Sequence, residues 1–306
     1  MQYAIKTNQL TKRYSQKFAV DHVDMHVPVG SIYGFVGENG SGKTTIMRLL
    51  MGLARPTEGE YKLFDVDNKD SGIYAVRSRI SAIVEAPSLV PTMTAIDNLK
   101  YACLYSGVKK SDEELKQIIN SVGLEDTGKK TIKNFSLGMK QRMGIAILLL
   151  NNPELLLLDE PMNGLDPQGI AELRELILEL NKNGITVLIS SHILSELEKV
   201  ANYWGFISHG KLLEEISAED LMKKCKKSID LKYPNLTLLK HTLKEMGIEE
   251  VEFVQGEYLR ITQQNVKVTD LLIGLREKHI EIEHVRTSDI DVENYYLNLI
   301  GKGGKK

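Results

Sequence analysis

Ile32-Tyr-Gly-Phe-Val36 runs directly into Gly37-Glu-Asn-Gly-Ser-Gly42-Lys43-Thr44, and the helical pattern Thr44–Leu53 follows. Residues 37–44 satisfy G-x-x-x-x-G-K-[ST] in full, between a strand and a helix, the setting in which that pattern carries a mechanism. Glycines let successive backbone N–H groups turn inward around an anion without obstruction by Cβ atoms. The helix N-terminus adds a favourable dipole. Lys43 is expected to contact β- and γ-phosphates, and the Thr44 hydroxyl to ligate Mg²⁺. Gly37, Asn39, Gly40, Ser41, Gly42, Lys43, Thr44 and Thr45 are therefore the candidate nucleotide-binding residues.

Further along, Leu155–Leu158 is four consecutive leucines, too apolar for a strand with one wet face, and Thr186–Ile189 is another short β-branched run. Such runs fit strands buried on both faces of a parallel sheet, with helices between them. A short leucine run alone could equally be buried helix; the α/β reading rests on the alternation. The leucines end in Asp159 and Glu160. A carboxylate at the carboxyl end of a strand can hold Mg²⁺, which makes Asp159 a metal candidate. Glu160 is placed to orient or deprotonate an attacking water. Repulsion from a phosphate cluster would raise its pKa and make it a better base. Acidic residues also end strands for solubility alone, so this pair gains its meaning from the loop at 37–44.

From about Ser228 the texture changes. Ser228–Tyr233, Glu250–Val254, Tyr258–Thr262 and Ile280–Val285 read as strands, and Leu236–Met246, Val268–Lys278 and Val292–Ile300 as helices, with Gln255, Gly256 and Glu257 joining the middle strands. The order βαββαβ plus a helix predicts a small α+β domain of ferredoxin-like type. The expected division is a nucleotide-binding domain over 1–218, with a helical subdomain at about 86–152, and an accessory domain over 226–306. The tail Gly301–Lys306 reads as flexible.

Composition narrows the rest. The chain has 306 residues and a formal charge of −2, with 42% hydrophobic and 26% charged residues. That length predicts about two domains, and the balance excludes wholesale disorder. Near-neutrality argues against bulk nucleic-acid binding; residues 210–306, with 16 basic and 17 acidic side chains, offer no basic face either. Cys103 and Cys225 form no CxxC pair, so neither a disulfide scaffold nor a zinc ribbon is indicated, and free thiols suit a reducing cytosol. The N-terminus lacks a signal-peptide core. No apolar stretch approaches the roughly 18 residues that cross a bilayer.

Between the two phosphate-site motifs lies Phe135-Ser136-Leu137-Gly138-Met139-Lys140-Gln141-Arg142; after them come Asn163-Gly164-Leu165-Asp166-Pro167 and Ser190-Ser191-His192. In order and spacing this set resembles the ATP-binding subunits of ABC transporters over about residues 3–216. The resemblance implies the fold, a P-loop NTPase cassette of ABC type with a helical subdomain, and the roles of matching residues. Ser136 and Gly138 resemble the signature residues, at the start of a helix (Met139–Leu150) that faces the γ-phosphate bound by an opposite subunit. His192 resembles the switch histidine, Asp166 the residue linking the two sites across the dimer, and Tyr14 the aromatic that stacks on adenine. Bland alternatives stand beside these: His192 as a loop histidine, Tyr14 as surface packing, and Asp166 as a helix N-cap before Pro at N1.

By the same resemblance, two copies or paired cassettes sandwich two ATP molecules head-to-tail. Lys43, Thr44, Asp159 and Glu160 of one then work with Ser136 and Gly138 of the other. Two departures from the family pattern stand out. Glu85, in Ile80-Ser-Ala-Ile-Val-Glu85-Ala-Pro87, replaces a Gln; a carboxylate can still ligate metal but cannot donate to water. Leu137 and Met139 replace Gly and Gln of the signature. Both resemble the bacitracin-export and lantibiotic-immunity branch, although Glu85 as a neutral variant remains the alternative. The implied function is an ATPase subunit, peripheral on the cytoplasmic membrane face, that drives separate permease subunits exporting a peptide antibiotic. Residues 86–98 are expected to include the surface that meets the permease, and the C-terminal domain to serve dimer contact or regulation. The other readings are an ABC exporter of an unrelated substrate, a non-transport ABC ATPase on ribosomes or DNA, and a small-molecule kinase. A single cassette, only 95 positions between Lys43 and Gly138, and no sustained heptads weigh against the ribosome and DNA types; a kinase leaves 136–142 and His192 idle.

Overall fold

The four consecutive leucines lie in strand Leu155–Asp159, every residue of which is buried, and the same holds for Ile32–Val36 and Thr186–Ser191. Two-sided burial is why these strands are continuously apolar. Each fully buried leucine contributes about 1.5–3 kcal/mol relative to exposure. The three sit side by side in a six-stranded sheet of order Lys211–Ser217, Tyr203–Ser208, Ile32–Val36, Thr186–Ser191, Leu155–Asp159, Ile80–Ile83. Neighbours are parallel except at the edge formed by Lys211–Ser217. Val36 pairs with Ser191 and Asp159 with Ser190, so Gly37, Glu160 and His192 leave three adjacent strands at one level. The carboxyl ends of such strands are where open α/β sheets bind ligands.

These elements come from a computed structural model that describes residues 2–225, 227–254, 258–263, 266–289 and 292–303. The chain divides into two compact units, Met1–Ala218 and Glu219–Lys306. In the first, an antiparallel sheet of Tyr3–Tyr14, Lys17–Val23, His26–Pro28, Glu58–Leu63 and Val66–Asp67 accompanies the parallel one. Helix Lys43–Leu50 contributes Ile46, Met47, Leu49 and Leu50 to a core shared with Ile5 and Leu63 of one sheet and Phe35 and Leu157 of the other. Buried polar contacts also join the sheets. The Tyr33 hydroxyl and the His26 backbone N–H each donate to Glu215 Oε1, both at 2.7 Å. Burial, and then the neighbouring carboxylate, push the Tyr33 phenol well above its usual pKa.

Residues 86–152 supply three helices with distinct starts. Thr94 caps Ala95–Ser106, Ser111 and Glu114 form a capping box on Asp112–Ser121, and Ser136 caps Leu137–Leu149. The last begins two residues before the Met139 start expected from sequence, because Ser136 itself accepts the N-cap hydrogen bond from Met139 N.

In the second unit, strands Lys227–Lys232, Val251–Val254, Tyr258–Ile261 and His284–Asp289 and helices Leu236–Glu245 and Val268–Glu277 follow the order βαββαβ. The sheet runs Val251–Val254, Tyr258–Ile261, Lys227–Lys232, His284–Asp289, antiparallel throughout, which is the ferredoxin-like arrangement. One strand is displaced from its expected place: His284–Asp289 pairs with Lys227–Lys232, whereas Ile280–Val285 was the alternating stretch. Ile280 and Ile282 do enter the core, but from the segment that closes helix Val268–Glu277, where Ile280 N donates to Leu275 O. Alternation there marks inward-facing residues, not ladder pairing. The expected joint Gln255–Glu257 and the end of the tail lie outside the described residues. Among the described residues no helix is long and apolar enough to cross a membrane.

Candidate active site

Gly42 opens helix Lys43–Leu50 with φ +114°, and no side chain caps the helix; its first turn carries no acidic residue. The first-turn N–H groups, which other helices of this chain satisfy with Ser, Thr or Asp, are thus left to an external acceptor. A Cβ at Gly42 would sit 2.5 Å from Ala19 O, and one at Gly37 2.6 Å from Ile207 O, so the loop is pressed against strands on both sides. The turn after Tyr203–Ser208 supports it: Gly210 N donates to Ser41 O. Asn39 and Gly40 are exposed at the tip, Thr44 and Thr45 half-buried, and Ser41, Gly42 and Lys43 buried. The Ser41 hydroxyl is buried without a hydrogen-bond partner.

The charged groups converge beneath this loop. Lys43 Nζ donates to Gly37 O at 2.5 Å and Glu38 O at 3.2 Å and lies 3.3 Å from Glu160 Oε1. Thr44 Oγ1 donates to Asp159 Oδ2 at 2.6 Å, and Ser190 Oγ donates to Asp159 Oδ1 at 2.6 Å. Glu160 N in turn donates to Ser190 Oγ at 2.9 Å and to Ser190 O at 3.2 Å, which holds Glu160 at φ +50°. His192 Nδ1 stands 2.7 Å from Glu160 Oε2. Five of the sequence candidates, Lys43, Thr44, Asp159, Glu160 and His192, therefore form one connected constellation. Its chemistry fits a nucleotide with a hard cation: a cation and uncapped N–H groups for phosphate, and a hydroxyl and carboxylate oxygen, 2.6 Å apart, for Mg²⁺. Ser190 is a member that sequence reading passed over. Its signal was its place between the strand Thr186–Ile189 and His192, two residues before the histidine that drew attention.

Five candidates stand apart from the constellation. Glu85, with φ +74°, pairs with Arg48, in the last turn of helix Lys43–Leu50. Both groups are largely exposed, so the pair contributes at most about 1 kcal/mol to stability. It does tie the loop after strand Ile80–Ile83 to the helix that begins at the phosphate loop. Tyr14 is exposed at the end of its strand, with Lys12 Nζ 5.0 Å from its ring centroid. Ser136 and Asp166 are exposed helix caps, and neither bonds the constellation among the described residues. Gly138 is buried against a neighbouring helix: a Cβ there would stand 3.4 Å from Gly169 Cα.

Asp166 is an N-cap, accepting from Gly169 N at 3.0 Å with Pro167 at the first helical position. Asn caps as well as Asp, whereas Ala does not. Asp166→Ala is therefore expected to lose about 1 kcal/mol in urea unfolding and Asp166→Asn less than about 0.5 kcal/mol. Hydrolysis that falls in Asp166→Asn at unchanged stability then reports a role beyond the cap; full activity in that variant leaves Asp166 as a cap only.

Comparison with known proteins gives this geometry its family. Residues 20–163 match the family described as ABC transporter. The chain is 40% identical over 308 residues to the bacitracin transport ATP-binding protein BcrA of Bacillus licheniformis, covering 99% of both chains. It is 44% identical over 211 residues to the lantibiotic transport ATP-binding protein SrtF of Streptococcus pyogenes, covering 69% of this chain and 90% of that one. Among solved structures, cbiO1 of Clostridium perfringens, part of an ABC transporter complex, superposes with a TM-score of 0.66 at 24% identity, over 73% of this chain and 92% of its own. A dimeric ATP-binding cassette bound to ADP and Pi gives a TM-score of 0.62 at 24% identity, over 70% and 98%. With the phosphate loop, paired carboxylates and signature helix in one fold, and relatives of matching length, the chain belongs to the ATP-binding proteins of the ABC transporter family.

Proposed function

We propose that this chain is the Mg-dependent ATP-hydrolysing subunit of an ABC exporter that removes peptide antibiotics of the bacitracin or lantibiotic kind. The observation that carries the catalytic half is the unbroken set of contacts Thr44–Asp159–Ser190–Glu160–His192, with Lys43 against Glu160. Lys43 and the N–H groups from Gly40 to Thr45 bind the phosphates. Thr44 and Asp159 would hold Mg²⁺, which supplies charge neutralisation at the β- and γ-phosphates. Glu160 accepts a proton from the attacking water, and His192 orients that carboxylate and then the γ-phosphate. Ser190 fixes Asp159 and the Glu160 backbone together. Tyr14 stacks on adenine.

Ser136, Gly138 and Asp166, exposed or remote from their own constellation, serve the site of a second copy in a head-to-tail dimer. The substrate half rests on the full-length relatives named for bacitracin transport and on the cassette-length relative named for lantibiotic transport. Separate permease subunits would carry the passage, with this chain on the cytoplasmic face. In its own host, loss of the chain is expected to raise sensitivity to bacitracin or a lantibiotic at least fourfold. The unsubstituted gene should restore resistance and Glu160→Gln should not. Unchanged inhibitory concentrations for both peptide classes would sink the substrate assignment. Glu85→Gln, which removes the charge facing Arg48, is expected to change turnover of the permease complex by a fewfold; an unchanged rate would make Glu85 a neutral variant.

A further inference from the structure

Arg142 lies in the signature helix Leu137–Leu149, six residues beyond Ser136. Nη1 donates to Gly123 O at 2.7 Å and Val122 O at 3.1 Å, the carbonyls just past helix Asp112–Ser121. Nη2 lies 2.9 Å from Glu172 Oε2, on helix Pro167–Lys182, whose cap is Asp166. Glu172 Oε1 accepts from Gln168 Nε2 at 2.9 Å, so the carboxylate is held on both sides. The side chain is only 14% exposed, and its Nε is buried without a partner. A buried guanidinium with an unsatisfied donor is poorly explained by stability alone.

The surroundings make the same link. Gly123 has φ +65°, which favours glycine, and a Cβ there would come 2.8 Å from Arg142 Nη1, so the guanidinium sits directly against this turn. One turn earlier on the same face of the signature helix, Gly138 packs against Gly169, and a Cβ at Gly164 would meet Leu137 at 3.3 Å. The loop at 163–166 and the start of the signature helix are thus pressed together at one end, and Arg142 pins their helices at the other.

We propose that Arg142 is a positioning residue, a clasp that locks the Ser136 and Asp166 loops into one body so that both reach the partner copy's nucleotide in a single movement. This rests on the head-to-tail ATPase reading above. A planar fork can bond two carbonyls and a carboxylate in different directions; a lysine ammonium at the end of a flexible stem cannot hold that geometry. Because the phosphate-binding residues of the same chain sit on other elements, loss of the clasp affects dimer closure and turnover and spares nucleotide binding.

The test uses the full chain carrying Arg142→Lys or Glu172→Gln, each alone and combined with Glu160→Gln. Arg142→Lys is expected to lower kcat for Mg-ATP roughly ten- to hundredfold with KM within about twofold of the unsubstituted chain, as misplaced groups remote from the chemistry do. Combined with Glu160→Gln, it should raise the protein concentration needed for ATP-driven dimerisation, while a fluorescent ATP analogue binds the monomer as before. Glu172→Gln, which keeps shape and loses charge, should shift kcat and dimerisation in the same direction by a smaller factor. It decides the matter if Arg142→Lys does not fold. Wild-type kcat and dimerisation in the folded variants would overturn the clasp, as would a kcat loss matched by weaker analogue binding. An unsubstituted chain that neither hydrolyses ATP nor, as Glu160→Gln, dimerises with it would instead bring down the ATPase reading, and the clasp with it.

Discussion

Glu160→Gln is expected to slow ATP hydrolysis by about 10²–10⁴-fold, the usual contribution of a positioned general base. Glutamine keeps the shape of the side chain, and the backbone of residue 160 is held independently by Ser190 through two contacts at 2.9 and 3.2 Å. What is lost is the carboxylate that stands 2.7 Å from His192 Nδ1 and 3.3 Å from Lys43 Nζ. An amide cannot take the proton of the attacking water. Removing a negative charge from beside the phosphates also relieves repulsion, so ATP binding should be retained or tightened. Steady-state release of phosphate and equilibrium binding of ATP, measured on the same preparation, separate the two effects. Hydrolysis at the unsubstituted rate would assign the base elsewhere.

Lys43→Ala is expected to weaken ATP binding by about 10²–10³-fold, since truncating one partner of a buried, charge-assisted contact costs roughly 3–4 kcal/mol and each 1.4 kcal/mol is tenfold. Lys43 is only 5% exposed, and its ammonium is held at the loop by Gly37 O and Glu38 O. The alanine variant leaves Glu160 without its cation and, on the proposed reading, the γ-phosphate without its lysine contact. Titration with ATP in the presence of Mg²⁺ checks this; binding within threefold of the unsubstituted chain would mean that the loop's N–H groups suffice. Unlike Glu160→Gln, this variant should lose binding and turnover together.

The parts of the fold that were legible in the sequence are those whose composition has one physical cause. Leu155–Leu158 and Ile32–Val36 are continuously apolar because both faces are covered, and Gly37–Thr44 has the residues a backbone anion cradle needs. The strands that were missed or misplaced have mixed causes. Tyr3–Tyr14 alternates irregularly because its ladder to Lys17–Val23 shifts register between Leu10 and Arg13 and because Gln9 adopts φ +47°. Ile280–Val285 alternates because its residues enter a core, while the paired strand starts at His284. The site divides the same way. Lys43, Thr44, Asp159, Glu160 and His192 announce themselves by residue type at motif positions. Arg48 against Glu85 and Arg142 against Glu172 are meetings of residues 37 and 30 positions apart, and charged side chains on a helix face or in a loop give no sign of which partner the fold will bring.

The central claim is that two copies of this cassette share their sites around ATP, and the mass of the Glu160→Gln chain in solution tests it most directly. Light scattering on that variant with Mg-ATP should give twice the 34.4 kDa of one chain. With ADP, or with Ser136 also replaced by a bulky charged residue, it should return to the single-chain mass. A chain that binds ATP and remains a monomer at the concentrations where it hydrolyses ATP would contradict the account.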